Sequence, residues 1–440
     1  MNGKEWLAIA GVLAGLFLGL PLIRGVARRF GASPEVARKS IHVAMGFSCA
    51  AFPWIFDRPL PVWVLAAIAT VPLGLIRILP VLRNGVGTVL HGIDRPSYGE
   101  ILFAPAVATV YFLAGGDLHL FVIPILILTI ADAAGALVGT RWGKRRYGSG
   151  EGFKTVEGSV IFWFTAFLCG FLPLMLGGRV DAMHAFWIGV ILAILAMMAE
   201  GISDRGFDNL VIPVGSFFLL EKLLPLEMPG LIGRFVVLAL LLFLVLVGSR
   251  WSTLSGGALL GSVLLGYGCA VMADWRFALP PVAVFVCHLA TTRKHCLTGK
   301  FDHRLDAVLS HTIACLPWVI ATEFEWVSIS VALAGISFAM GAQLAILDTA
   351  TRTWMPHLVA TPARSVVKGF LVASLPGLIW LWPNSVRLLV PVVAALVCMW
   401  MATLLFQRIQ SGYRGNVTGL WIIKGLLALA ASIPAFILSP

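Results

Sequence analysis

Apolar stretches of roughly 16 to 22 residues recur along the whole chain, each about the length an α-helix needs to cross the hydrocarbon of a bilayer. About sixteen of them can be marked off between short polar breaks. The pattern predicts an all-α integral membrane protein of about sixteen transmembrane helices in two similar-sized halves. The halves are residues 1–225 and 231–440, with the break near 222–230. The first stretch, Trp6 to Ile23, has no basic segment before it and no small-residue cleavage site after it. It therefore reads as a retained anchor and not as a signal peptide.

Composition supports the same class: of 440 residues, 59% are hydrophobic and only 12% charged, too few charges to cover one soluble core. The net charge of +11 could suggest nucleic acid, but its distribution argues against that partner. If Arg24, Arg28 and Arg29 face the cytoplasm, alternate loops place about 24 of the 32 basic residues on that side, as the positive-inside tendency requires. The chain is thus expected to be multi-pass, in the inner membrane if the cell is bacterial, with its chemistry facing the cytoplasm. Of the seven cysteines six lie within apolar segments, and no C-x-x-C pair occurs, so neither a disulfide framework nor a zinc site is indicated.

Candidate chemistry comes from the polar residues that interrupt this pattern. Ser33-Pro34-Glu35 reads as a helix start with Ser33 as cap. That helix carries Arg38, Lys39 and His42 to the membrane boundary, where spacings of three and four put His42 on one face with both cations. Taken alone, Arg38 and Lys39 are positive-inside anchors. Glu100 opens a later apolar segment after Ser97-Tyr98-Gly99. Asp132 then stands in a helix whose neighbours, Ala131, Ala133, Ala134, Gly135, Ala136 and Gly139, offer almost no bulk. Tight helix packing explains the small residues but not an intramembrane acid, which is a functional candidate by default. The sequence spacing from Asp132 to Gly139, about 10 Å along a helix, sets the acid near the cytoplasmic boundary.

A loop from Thr140 to Thr155 follows, with Gly143, Gly148, Gly150 and Gly152 among Arg141, Lys144, Arg145, Arg146 and Lys154. Exposed amides and cations of this kind can wrap a polyphosphate, although no Walker A pattern is present. Lys154-Thr155, then Glu157 and Ser159, lie at a helix mouth, where free amides attract an anion. Glu200 and Asp204 share a helix face if the helix continues, and Asp208-Asn209 begins the next apolar run. With Asp132 and Glu157 these acids offer hard oxygen ligands suited to Mg²⁺ and to the phosphates it bridges.

Arg38-Lys39-x-x-His42-x-x-x-Gly46, Ser97-Tyr98-Gly99-Glu100, Asp132-Ala-Ala with Gly139 and Gly143-Lys144, Lys154-Thr155-x-Glu157-Gly158-Ser159, and Glu200 through Asp208-Asn209 occur in one order. In that order they resemble the polyprenol kinase family over about residues 35–220. This family includes dolichol kinase, phytol kinase and the CTP-dependent diacylglycerol kinase, and is related to the phosphatidate cytidylyltransferases. The resemblance implies a membrane kinase that moves the terminal phosphate of CTP, or of ATP, to a lipid alcohol with Mg²⁺. By the same resemblance Arg38, Lys39, Asp132 and Gly139 match positions needed for activity. Ala131 departs from the glycine that members often carry, and the insert between Lys144 and Lys154 is longer than theirs.

The reading is of an enzyme acting on an isoprenoid alcohol such as phytol, geranylgeraniol or a polyprenol, or on diacylglycerol. Lys39, Arg38, Lys144 and Lys154 neutralise the nucleotide phosphates, and Gly139, Thr155 and Ser159 line the nucleotide. Asp132, Glu157, Glu200 and Asp208 hold the metal. Two rivals are a cytidylyltransferase built from the same parts and a lipid or small-molecule transporter or flippase, the latter suggested by two similar halves and intramembrane acids.

In the second half, Asp348-Thr349 and Thr361-x-x-Arg364-x-Val366-x-x-Gly369 resemble, in degenerate form, the membrane family that contains plant phytyl-phosphate kinase. Thr353 stands where that family has a glutamate, and Phe370 where it has a threonine. The loss of an acid favours a structural or lipid-guiding half over a second site built on Asp348, Arg364 and Lys368. His288, His295, His303 and His311 match no compact ligand spacing and read as scattered loop histidines.

Overall fold

A computed structural model of the chain describes residues 1–78, 98–147, 154–272, 274–292, 303–352 and 361–438. Gly148, Gly150 and Gly152 of the basic loop, Ser97, His295 and Thr353 lie outside these residues. The chain is helical almost throughout, with a two-stranded antiparallel ladder of Arg146–Tyr147 and Lys154–Thr155 (β1 and β2) as its named sheet. Among the described residues ten helices are long and apolar enough to cross a membrane, and four shorter apolar helices accompany them. The expectation of about sixteen spans is not confirmed, because several apolar runs form helices of only 14 to 17 residues. Many large apolar side chains point outward, among them Phe17, Leu18, Leu240, Leu246 and Leu389. A surface of that kind suits lipid, where backbone polarity is satisfied inside each helix.

Two compact units divide the chain at Phe235 and Val236, inside a helix. The first contains α1 (Gly3–Arg29), α2 (Pro34–Ala50), α3 (Pro59–Ile78), α4 (Gly99–Ala114), α5 (Leu118–Trp142), α6 (Val156–Leu176), α7 (Ala182–Ile202) and α8 (Asp208–Leu223). Side-chain caps fix several starts. Ser33 Oγ accepts the Val36 amide, and Asp117 and Asp181 each accept two amides of the following turn. The helix start expected at Ser33-Pro34 is therefore present. α5 is central, packed by α2 on one side and α6 on another, with α7 beyond α6 and α8 against α4.

The boundary helix α9 (Met228–Gly248) leads into the second unit. It comprises α10 (Gly256–Met272), α11 (Leu279–Thr292), α12 (Leu305–Glu323), α13 (Ile329–Arg352), α14 (Pro362–Leu381), α15 (Ser385–Gly412) and α16 (Val417–Ala431). α13 is buried along most of its length and is surrounded by α12, α14, α15 and α16. Its polar groups are paired locally: Gln343 donates to the Ser310 carbonyl at 2.8 Å, and Ser374 Oγ donates to the Ser337 carbonyl at 2.8 Å. Buried polar pairs of this kind fix the register of helices that lipid alone would not orient.

Candidate active site

Lys39 and His42, one helical turn apart on α2, both reach Asp132 on α5. Lys39 Nζ donates to Asp132 Oδ2 at 2.6 Å, and His42 Nε2 lies 3.4 Å from the same oxygen. Lys39 is 4% exposed and Asp132 5%, so each is the other's counterion in a place where water contributes little. Both contacts fall on Oδ2. Arg38 turns the other way, to Glu35 Oε1 at 2.6 Å, with half of its side chain exposed. The shared face expected for Arg38 and His42 is thus corrected: the i,i+3 acid on Arg38's own helix draws it to the rim.

The backbone of α5 prepares this site. Residues Ile127–Ala131 form a π turn, and the Asp132 amide reaches back to the Ile127 carbonyl instead of the Leu128 carbonyl it would meet in an α-helix. His42 Nε2 donates to that Leu128 carbonyl at 3.0 Å, while Phe103 of α4 packs edge-on against the ring. The extra residue in the turn therefore supplies the acceptor that orients the histidine beside Asp132. Gly46, one turn further along α2, faces the same turn, where an added Cβ would fall 1.9 Å from Thr129 Oγ1. Gly46→Ala is accordingly expected to force α2 away from α5, at a cost of about 1–3 kcal/mol. It should lower both the melting temperature in detergent and activity, and Thr129→Gly in the same chain should restore both. Equal stability of Gly46→Ala and the parent would contradict this.

Asp132 is not near the end of its helix, as the spacing to Gly139 suggests. α5 continues to Trp142, about 15 Å beyond Asp132 at 1.5 Å per residue. Polar access comes from its neighbours. Lys39 lies in the second turn of α2, Glu200 in the last turn of α7, Asp208 at the first residue of α8, and Lys154 on β2. Lys154 Nζ is paired with Glu200. Burial works against its charge, but Glu200, Asp208 and Asp132 outweigh that and hold its ammonium above the usual lysine value. The cation that separates like-charged acids is thus Lys154. Asp204 leaves the expected helix face, because α7 ends at Ile202 and Asp204 caps the Arg205 amide in the following turn. That turn, with Arg205 and Gly206 at positive φ, is tied to the start of α4: the Tyr98 amide donates to the Arg205 carbonyl, and Asn209 Nδ2 to the Gly99 carbonyl. Motifs separated by more than a hundred residues are joined in this way.

Other expected nucleotide and metal residues have different employment. Thr155 Oγ1 caps the Gly158 amide, the Val156 amide donates to the Arg145 carbonyl, and Ser159 Oγ meets the Tyr147 hydroxyl. The mouth of α6 is therefore closed by its own chain, not open to an anion. Glu157 Oε2 accepts the amides of Lys144 and Arg145, which removes it from the set around Asp132 and makes it a clamp on the basic loop. Lys144 itself is exposed. Gly139 serves close helix packing, since a Cβ there would meet Thr155 Oγ1 at 2.7 Å and the Gly158 Cα at 3.5 Å. Among the described residues no three His, Cys, Asp or Glu side chains form a ready metal cage. The acids left near Lys154, namely Asp132, Glu200 and Asp208, still have the chemistry Mg²⁺ takes when substrate phosphates complete its shell.

In the second unit, Asp348 on α13 is buried and accepts from Lys368 Nζ and Ser365 Oγ on α14, each at 2.7 Å. Arg364 is exposed, and its amide is capped by Thr361. Two of the three residues named for a second site therefore meet, and Arg364 does not join them.

No family model matches the chain, and no solved structure matches it. The phytol kinase of Synechocystis sp. is 30% identical over 223 residues, which cover 48% of this chain and 89% of that protein. With nearly the whole of that relative matched, the chain belongs to the polyprenol and phytol kinase family.

Proposed function

We propose that the protein is a membrane-embedded kinase that transfers the terminal phosphate of CTP, or of ATP, to an isoprenoid alcohol such as phytol or geranylgeraniol. The observation that carries this reading is the buried Lys39–Asp132–His42 group. It sits where β2, the end of α7 and the start of α8 bring Lys154, Glu200 and Asp208 to the same acid. Phosphoryl transfer asks a protein for in-line positioning and charge neutralisation more than for covalent help. Lys39 and Lys154 are the inner cations for the phosphates, and Arg38 and Lys144 stand further out. Mg²⁺, held by Asp132 and Asp208 with Glu200 behind Lys154, would neutralise charge on the phosphates.

The lipid hydroxyl oxygen attacks the terminal phosphorus, and the bond from that phosphorus to the nucleoside diphosphate breaks. The hydroxyl proton is lost to water at the cytoplasmic level. The apolar tail stays between helices open to the bilayer, so only the hydroxyl has to reach Asp132. Purified full-length protein in detergent, given CTP or ATP labelled at the γ-phosphate, tests this against phytol, geranylgeraniol, undecaprenol and diacylglycerol, with phosphatidate as the phosphorylated comparison. Label on an isoprenoid alcohol is expected. Release of labelled pyrophosphate, with the nucleotide joined to a lipid phosphate, would replace this reading with cytidylyl transfer.

The second unit is read as non-catalytic, since Thr353 stands where the family it resembles has a glutamate, which would leave a metal at Asp348 with fewer ligands. Asp348→Asn should leave the rate of transfer to the alcohol within about twofold, as expected for a residue that takes no part in the transition state. A product that reaches the diphosphate in the parent and stops at the monophosphate in this variant would show a second active site.

A further inference from the structure

One turn links two of the acids near the Lys39–Asp132 pair, and its backbone is unusual. Glu200 lies in the last turn of α7, and Asp208 is the first residue of α8. Between them α7 is stopped by Ser203, whose hydroxyl and amide both turn back to the Ala199 carbonyl, at 2.7 and 3.1 Å. The chain then reverses through Arg205 at φ 52° and Gly206 at φ 85°. Left-handed backbone suits Gly206, but the Cβ of Arg205 makes it unfavourable there. A residue held in this way persists only where its surroundings over-determine it.

Those surroundings belong to the start of α4. The Tyr98 amide donates to the Arg205 carbonyl at 2.7 Å, Asn209 Nδ2 donates to the Gly99 carbonyl at 2.9 Å, and the Tyr98 and Phe207 rings meet at 5.9 Å. The first bond grips the strained residue, and the second grips the residue next to Asp208. Asp208 accepts the Asn209 amide on Oδ1 at 3.0 Å, which leaves Oδ2 for a metal. It is close enough to Asp132, Lys154 and Lys39 to interact electrostatically with each. Asp132 stands on α5, so no single helix fixes the spacing of the two carboxylates. α8 packs against both α4 and the π turn of α5, and the bond from Asn209 ties its first turn to α4.

We propose that Asn209 is a positioning residue for phosphoryl transfer: its bond to the Gly99 carbonyl holds Asp208 in place, beside Asp132, as the second carboxylate for the metal. Asparagine suits this joint because its short side chain ends in a donor for a backbone carbonyl. An ionised aspartate offers only acceptors, and leucine offers neither. Groups one step behind a metal ligand typically change metal affinity or activity by about 10–100-fold when they are lost. The inference rests on the reading of Asp208 as a metal ligand. It goes beyond that reading by assigning the ligand's alignment to a carbonyl of α4, 110 residues earlier in the chain.

Mn²⁺, which shares the preference of Mg²⁺ for oxygen ligands, serves as the probe and is followed by electron paramagnetic resonance. Its binding to the full-length protein in detergent is measured with CTP, and in parallel with ATP, in the absence of any lipid alcohol, so that no transfer occurs. Asn209→Leu should weaken Mn²⁺ binding at least about tenfold. Asn209→Ser, whose hydroxyl is too short to reach the carbonyl, should do the same and keeps the test readable if the leucine variant fails to fold. Melting temperature in detergent identifies the folded variants. Added to Asp208→Asn, the same substitution should bring no further loss, because a residue that acts through Asp208 then has nothing left to position. A merely structural role would add its loss to that of Asp208→Asn. Parent-like binding in either folded Asn209 variant, or additive losses in the double variant, would overturn the positioning role while the metal reading of Asp208 stands. Parent-like binding in Asp208→Asn would overturn both.

Discussion

Asp132→Asn is expected to lower phosphoryl transfer by about 10³-fold or more while the protein still inserts and folds. The amide keeps the shape of the side chain and an oxygen that can accept from Lys39, but it removes the negative charge on which the metal and the inner cations are organised. Asp132 is 5% exposed and makes both of its contacts through Oδ2, and Glu200 is held by its pairing with Lys154. Steady-state transfer from labelled nucleotide to the alcohol, alongside the elution profile and melting temperature in detergent, makes the comparison. Parent-like turnover in a well-folded variant would remove Asp132 from the centre of the proposed reaction.

Lys39→Met should cost more than activity. It leaves a buried carboxylate without its counterion, and breaking a buried pair in this way typically destabilises by about 3–5 kcal/mol. Loss of the cation should also lower kcat/KM for the nucleotide by at least about a hundredfold, with a smaller change in the KM for the alcohol, because Lys39 is placed toward phosphates and not toward the tail. The double variant Lys39→Met with Asp132→Asn separates the two consequences. Removing both charges leaves no unpaired ion, so the melting temperature should recover above that of Lys39→Met, and activity should stay absent. A double variant less stable than Lys39→Met would show that the pair is not the source of the stability loss.

The sequence makes the class legible because a bilayer imposes a length on every apolar run, and ten helices among the described residues satisfy it. Lys39, His42 and Asp132 are legible for a related reason: ionisable groups are costly in such helices, and their presence marks a task. Side-chain direction is less legible. Arg38 and Lys39 are adjacent in sequence, yet a helix turns about 100° per residue, which sends one to Glu35 and the other to Asp132. The same limit applies to Thr155, Glu157 and Ser159, whose partners Gly158, Lys144, Arg145 and Tyr147 are set by how the loop folds back.

Lys424 shows the opposite case. It lies in Trp421-Ile-Ile-Lys-Gly-Leu-Leu, a single cation in an apolar run, and the rule that identifies Asp132 identifies it equally well. What the sequence cannot supply is its company, since His288 and His311 approach it from two other helices. Gly46 is similar: its place after His42 is visible, but the reason for a glycine there is Thr129 on another helix.

The π turn at Ile127–Ala131 gives α5 a property that a regular helix lacks. In an α-helix the angular position of every side chain is fixed by counting residues from any other, so one rod has one phase. One extra residue in a single turn divides α5 into two rods with independent phases, one packed in the bilayer and the other presenting Asp132. Mutations that wind this turn back to α geometry would rotate the carboxylate relative to its packed foundation by up to about one residue's worth of arc, about 100°. The reach of the proposed site thus extends to residues that touch no substrate, and its alignment follows the helical phase at Ile127–Ala131.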